Sequence, residues 1–323
     1  MAYQSGDTIL DDHYNIFVQG GASAVDHNTA NLNTIWATGT GDKGYGGTGL
    51  STVSAGSTIT ATQWVNLLNR MTAIANHQGS SITSITNPAT GNTISAYTAL
   101  SGNISTIFTN RKNCAASGTT ASTASSGTNT WRDKQTTTFT VTFASANQAR
   151  YFFNAGGRLS LTHSRSGGTA SSKNTAWTNL CSAAGTLYMS GGSGTATIAG
   201  GSYTGSNKSG GSGSATVATT TGWYDLTTTA VQNFIQYDAT YLYTANYIQT
   251  RVYRNSTSTI FYVEVNYIDN ADTSNWGESA LLDETVDGTL TATLNVIKPS
   301  TTHLSDAVGT VTVTKTAMGG DTY

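Results

Sequence analysis

Apolar residues recur at steps of three and four over the first third of the chain and at steps of two through most of the remainder. Trp64, Leu67, Leu68, Met71, Ile74 and Ala75 share one face of a helix predicted at about 61–77. Thr60 and Gln63 have the spacing of a capping box, and Ile59 and Trp64 that of a hydrophobic staple. Gly79 stands where a left-handed C-terminal cap belongs. Tyr97, Leu100, Ile104 and Ile107 predict a second helix, weakened by the interior Gly102, which costs about 1 kcal/mol relative to Ala. Leu10, Tyr14 and Phe17 predict a short third one ending at Gly20-Gly21.

A small-Gly-polar-Thr-Ile motif precedes each pattern: Ser5-Gly6-Asp7-Thr8-Ile9, Ala55-Gly56-Ser57-Thr58-Ile59 and Thr90-Gly91-Asn92-Thr93-Ile94. The spacing is irregular, so the motif reads as one helix-start device used three times rather than a solenoid repeat. The stripe formed by Trp64, Leu67, Met71 and Ile74 with Tyr97, Leu100, Ile104 and Ile107 also keeps a/d heptad spacing. It has two readings: a helical hairpin packed on its own domain, or a helical collar and attachment interface at a homo-oligomer axis.

From about residue 131 the period is two. Phe139, Val141 and Phe143 alternate with Thr138, Thr140 and Thr142, a strand with one solvated face. Tyr151-Phe152-Phe153 and Leu159-Ser160-Leu161 read as strands around an Asn154-Ala155-Gly156-Gly157 turn. Further strands are expected near 246–254, 259–268, 289–297 and 309–316, with Asp287-Gly288 as a hairpin-type turn. The Gly/Ser-rich stretch 190–222 reads as a long surface loop or a glycine-rich edge excursion. In the aromatic segment 223–243, Trp223, Tyr224, Phe234, Tyr237, Tyr241 and Tyr243 suit core packing or a sugar-stacking surface. The expected fold is mainly β with a small α-helical N-terminal region. It divides into a helical attachment or oligomerisation region at 1–114, a Ser/Thr/Gly linker at 115–130, and a C-terminal β-sandwich at 131–323, with a jelly-roll-like sandwich as one form it can take.

Composition sharpens this picture. Charged residues are 10% of the chain, Gly is 35 of 323 residues and Thr is the commonest residue. Ordinary soluble domains carry about 25% charge. A net charge of −2 leaves no basic footprint for nucleic acid. No run approaches the ~20 apolar residues of a membrane span, and no signal peptide is visible at the start. Sixteen Tyr, eight Phe and six Trp argue against disorder. Cys114 and Cys181 allow at most one bridge and read as buried free thiols.

Two stretches carry a resemblance. Gly56-Ser57-Thr58-Ile59-Thr60-Ala61-Thr62-Gln63-Trp64 resembles a helix-start motif of tailed-bacteriophage tail and fibre proteins. Phe143-Ala144-Ser145-Ala146-Asn147 with Arg150-Tyr151-Phe152-Phe153-Asn154-Ala155-Gly156-Gly157 is similar to a block in virion structural proteins of tailed phages, cyanophages among them. The resemblance implies a non-enzymatic virion component, a tail fibre or baseplate-attached protein, commonly a homotrimer. Its implied partners are further copies of itself, other phage tail or neck proteins and, at the host surface, polysaccharide. A purely architectural neck, collar or capsid-decorating role is the alternative.

Candidate chemistry is sparse. His13, His27, His77, His163 and His303 fall in no zinc-spaced pattern and read as surface or turn residues. No nucleophile elbow appears. Thr38 to Gly49 is a Gly-rich loop around Tyr45 without a phosphate-loop pattern, and reads as a flexible loop or contact arm. Asp269, Asp272, Glu278, Asp283, Glu284 and Asp287 cluster with no intervening Lys or Arg. They read as a solvated acidic loop, with a Ca²⁺ site or a glycosidase-type carboxylate pair as alternatives. No cofactor is expected.

Overall fold

A computed structural model describes residues 11–87, 96–192, 194–270, 285–304 and 309–320. The helix-start copies at 5–9 and 90–94 lie outside these residues, as do Asp272, Glu278, Asp283 and Glu284. The N-terminal part carries helices α1 (Asp11–Val18), α2 (Leu32–Trp36), α3 (Ala61–Gln78) and α4 (Tyr97–Thr109). The rest is mainly antiparallel strand: β1 (Ser117–Gly127), β2 (Lys134–Phe143), β3 (Arg158–Ser166), β4 (Thr186–Met189), β5 (Ala196–Ile198), β6 (Gly201–Tyr203), β7 (Ser206–Ser209), β8 (Ala215–Val217), β9 (Val231–Tyr237), β10 (Tyr247–Arg254), β11 (Ile260–Ile268), β12 (Thr289–Pro299), β13 (Val311–Lys315) and β14 (Gly319–Gly320). Two more helices, α5 (Ala146–Asn154) and α6 (Ser172–Ala184), interrupt the strands.

One sheet has the order β1-β12-β3-β4-β7, and the other β13-β2-β11-β10-β9-β8 with β14 also on β2. They share one apolar core and meet at both edges, a sandwich-like arrangement. Ser125 Oγ donates to the Thr316 carbonyl at 3.0 Å on one side, and Lys208 Nζ reaches Gln236 Oε1 at 3.0 Å on the other. Phe139, Val141 and Phe143 point inward as their alternation requires, and the intervening threonines form the outer face.

The capping signals of α3 are realised. Gln63 N donates to Thr60 Oγ1 at 3.3 Å, Thr60 N donates to Gln63 Oε1 at 2.7 Å, and Gly79 adopts φ 69°. Across the helical part, asparagine amides act as clamps on extended backbone. Asn15 bonds both the N–H and C=O of Val53 (2.9 and 2.8 Å), Asn33 those of Leu50 (2.7 and 2.9 Å), and Asn103 those of Thr83 (2.8 and 2.8 Å). Each clamp satisfies two buried or half-buried peptide groups without charge.

Several expectations are corrected. Residues 117–127, read as linker, form an edge strand paired along β12, because a Ser/Thr/Ala run satisfies a strand whose faces are mostly exposed. Tyr151-Phe152-Phe153 is helical, not extended: Ser145 caps α5 by accepting from Gln148 N, and three consecutive aromatics all find core neighbours. Asp287-Gly288 joins no hairpin, since β12 pairs with β1 and β3 and not with β11. The stretch 190–222 is not one loop: it contains β5 to β8, of which β7 and β8 are edge strands of the two sheets, as the edge-excursion reading has it. Helix α6, which no apolar periodicity marks, starts at a Ser171 cap. His77 and His163 are buried within α3 and β3 rather than on the surface or in turns, and His27 lies in a turn, as expected, but is buried there. Cys114 and Cys181 are buried free thiols, as expected.

The helical part and the sheets form one core. Their junction is the loop 38–49, which is pinned rather than flexible. Asn154 Nδ2 faces the carbonyls of Gly41, Lys43 and Gly44 at 3.2, 3.0 and 3.1 Å. Arg150, one turn earlier, reaches the Thr38 carbonyl at 3.1 Å and that of Lys43 as well. Tyr45 is fully buried, its hydroxyl donating to the Arg111 carbonyl at 2.7 Å and accepting from Gln78 at 2.8 Å. His77 bonds the Ala155 carbonyl at 3.0 Å. Gly156, at φ 96°, leaves no room for a side chain: a Cβ there would lie 2.4 Å from that of Cys114.

Asn154→Ala removes the side-chain donor to the Gly44 carbonyl and leaves those of Gly41 and Lys43 to Tyr224 and Arg150; we expect it to cost about 1–3 kcal/mol, read as a lower denaturation midpoint. Burial lowers the His77 and His163 imidazoles to about 4, the His77 bond to Ala155 opposing the shift. A lowered histidine keeps its full stabilisation above the unfolded value of about 6.5 and loses it as pH falls toward the folded one. The melting temperature should therefore drop between about pH 6.5 and 4, and less steeply in His163→Gln.

Candidate functional site

The helix stripe is consumed internally. Trp64, Leu67, Met71, Ile74, Leu100, Ile104 and Ile107 are all buried in the chain's own core. Tyr97 is half-buried against Phe17, ring centroids 5.2 Å apart. The hairpin reading accounts for the heptad spacing, and the collar reading is corrected: burying this face within one chain leaves none of it for a second copy.

The described acidic residues are also engaged. Asp287 accepts from Thr169 N at 3.0–3.1 Å, from Asn174 Nδ2, and from Arg165 Nη2 at 3.2 Å. Partial burial raises its carboxyl, but the Thr169 and Asn174 hydrogen bonds and the Arg165 charge outweigh this and hold it below the ordinary carboxylate range. Asp269 meets Lys173 Nζ at 2.9 Å with both side chains fully buried. Both carboxylates therefore already bind protein donors. Among the described residues no group of three His, Cys, Asp or Glu could hold a metal ion, and no helix is long and apolar enough to cross a membrane.

The surface with the most distinctive chemistry is the outer face of β9, β10 and β11. Register sets its rows: Tyr253 opposite Tyr262, Arg251 opposite Glu264, Gln249 opposite Asn266, and Tyr237 opposite Tyr247. The inward positions Ile248, Val252, Phe261, Val263 and Val265 are buried, so period-two geometry sends the polar and aromatic set to the other face, where Tyr253, Tyr262, Arg251, Glu264, Gln249 and Tyr247 are half-buried and Asn266 is covered. Tyr253 and Tyr262 stack with centroids 4.5 Å apart and planes 18° apart. Tyr237 and Tyr247 lie 5.3 Å apart at the other end. At ~3.4 Å per residue, Tyr247 and Tyr253 are about 20 Å apart along the strand.

Between the tyrosine pairs the side chains bond one another. Gln249 donates to Gln232 at 2.6 Å, Asn266 donates to Glu264 at 2.9 Å, and Arg251 meets Glu264 at 3.5 Å. Arg251 and Glu264 cancel, so this row adds no net charge. Partial burial, then Glu264 and Tyr262, raises the Tyr253 hydroxyl, which stays a neutral donor at physiological pH. Flat rings beside amide, guanidinium and carboxylate groups suit a neutral, polyhydroxylated ligand: rings cover C–H faces while planar polar groups exchange hydrogen bonds with hydroxyls.

The aromatic segment 223–243 contributes unevenly. Trp223, Phe234 and Tyr243 are core residues, whereas Tyr237 and Tyr241 are exposed, at 50% and 85%. Tyr253 and Tyr262 escape a strand reading that tracks the apolar half of each alternation. The polar half, Tyr247-x-Gln249-x-Arg251-x-Tyr253, carries the signal.

Comparison with known proteins adds no relative: no family model, no curated protein and no solved structure matches the chain.

A depressed carboxyl contributes stability that is present above the unfolded carboxylate value of about 3.9 and lost as pH falls through the folded one. Acid should therefore destabilise the wild type more than Asp287→Asn below about pH 4, measured as the difference in melting temperature across the titration.

Proposed function

We propose that the chain is a non-enzymatic structural component of a tailed-phage virion, a tail fibre or baseplate-attached protein that contributes to host-surface attachment. The observation that carries the attachment reading is the outer face of β9 to β11, with two tyrosine pairs framing a charge-balanced row of amides and an ion pair. Host cell-surface polysaccharide matches that chemistry. Many copies on one particle would convert weak single-face contacts into firm adhesion by avidity. The phage reading is supported by the resemblance at Phe143 to Gly157. Those residues include Arg150 and Asn154, which tie the helices to the sheets.

Further copies of the chain and other tail or neck proteins are the proposed virion partners. The trimer implied by the resemblance would use surfaces other than the buried helix stripe. Low charge suits such packing, because each like-charge contact would repeat at every subunit boundary.

Immunogold labelling with antibodies to the recombinant chain should mark the distal tail or baseplate of the particle. Label at the neck or capsid would contradict the fibre reading in favour of the architectural one. Recombinant protein should also adsorb to host cells, with adsorption falling about tenfold in the Tyr253→Ser, Tyr262→Ser double variant, given ~0.5–1.5 kcal/mol per aromatic contact. Unchanged adsorption by a folded double variant would exclude this face from attachment.

A further inference from the structure

In a chain with 10% charged residues, one ion pair is placed where water cannot reach it. Lys173 Nζ and Asp269 Oδ2 are 2.9 Å apart and both side chains are 0% exposed. The fold brings them together from distant segments. Lys173 lies in the first turn of α6, just after the Ser171 cap, and Asp269 directly follows β11. The Asp269 N–H donates to the Asp133 carbonyl at 2.9 Å, which fixes the carboxylate's backbone. The flanking elements are aromatic. Trp177, one turn after Lys173, sits 6.2 Å from the ring of Tyr267 and 4.9 Å from that of Trp131.

Burying such a pair as ions is costly, and well-packed apolar residues often do as well or better. The same placement favours a different chemistry. An amine held against a carboxyl oxygen lies close to the carboxyl carbon, and reacting atoms about 3–3.5 Å apart define a near-attack arrangement. A dry site lacks the water that would drive hydrolysis of the product.

We propose that Lys173 and Asp269 form an intramolecular isopeptide bond. The Lys173 ammonium passes a proton to the Asp269 carboxylate across the existing contact. The amine lone pair then attacks Cγ, the N–Cγ bond forms, and a Cγ–O bond breaks as the oxygen leaves. The released oxygen carries away two protons as one water, giving a neutral amide with no net change in protons or electrons. No oxidant, metal or cofactor is required.

The product would covalently join α6, which packs on β3, to the end of β11 in the other sheet. It would close a long stretch of chain and restrict the unfolded state as a disulfide does. The two cysteines are free and supply no such link. The inference concerns internal chemistry and does not depend on the phage reading.

The test is the mass of the full-length wild-type protein, measured intact under denaturing conditions, followed by proteolysis and fragment sequencing. The expected result is a chain lighter than its sequence mass by one water, with a branched peptide joining Lys173 to Asp269. The Lys173→Met chain should show its full calculated mass. A wild-type protein at full mass, confirmed as folded before denaturation, would overturn the proposal without recourse to any variant. So would a missing water that maps to an imide at Asp287-Gly288 instead of to the Lys173–Asp269 branch.

Discussion

A loop with exposed peptide carbonyls cannot be buried unless donors meet them, and this constraint organises the junction of the molecule. The segment around Gly41 to Gly44 turns its carbonyls toward the sheets, where α5 supplies Asn154 and Arg150 from adjacent turns of one helix face. The single proton of the Tyr224 hydroxyl is shared between the Gly41 carbonyl at 2.8 Å and Asn154 Oδ1 at 2.5 Å. With those carbonyls satisfied, Tyr45 can sit fully buried beside His77, and the helices share a core with β2, β12 and α5. Close approach at Gly156 completes the joint.

The same economy runs through the rest of the fold. With few charges available, backbone groups outside regular structure are met by amides and hydroxyls: Asn15, Asn33 and Asn103 in the helical part, and Asn255 at the β10–β11 turn. Of the charged side chains inside, Lys173 pairs with Asp269 and Arg165 with the half-buried Asp287 around α6, while Arg158 lies over the rings of Tyr188 and Tyr203 and Asp238 follows β9. Asp269 and Asp287 bracket the acidic segment, and both are held at the first turns of α6 or the adjoining β3. The acidic cluster is thus an anchored segment at its two described ends.

How much of the fold is legible in the sequence depends on how local each cause is. The caps of α3 are contacts between residues three apart, so Thr60, Gln63 and Gly79 announce them. Strands β2, β10, β11, β12 and β13 show period-two alternation because one face is buried and the other solvated. Helix α5 is misleading because Tyr151-Phe152-Phe153 lacks helical periodicity: neighbours on several sides bury all three rings, including Phe143, Phe261 and Trp223. Strand β1 is invisible locally because its partner, β12, lies more than 160 residues away in the chain. The heptad stripe is correctly apolar, but sequence spacing does not distinguish a partner helix in another chain from a core in the same one. The Tyr253–Tyr262 face depends on register between two strands, which no single strand's pattern contains.

The helical part and the sheets thus form a single folding unit joined through α5 and the loop it holds. Differential scanning calorimetry of the full-length protein tests this directly, because a two-state unit has equal calorimetric and van't Hoff enthalpies. One transition with equal enthalpies, lowered as a whole by Arg150→Ala, is the expected result. Two separable transitions, with Arg150→Ala moving only one of them, would contradict it.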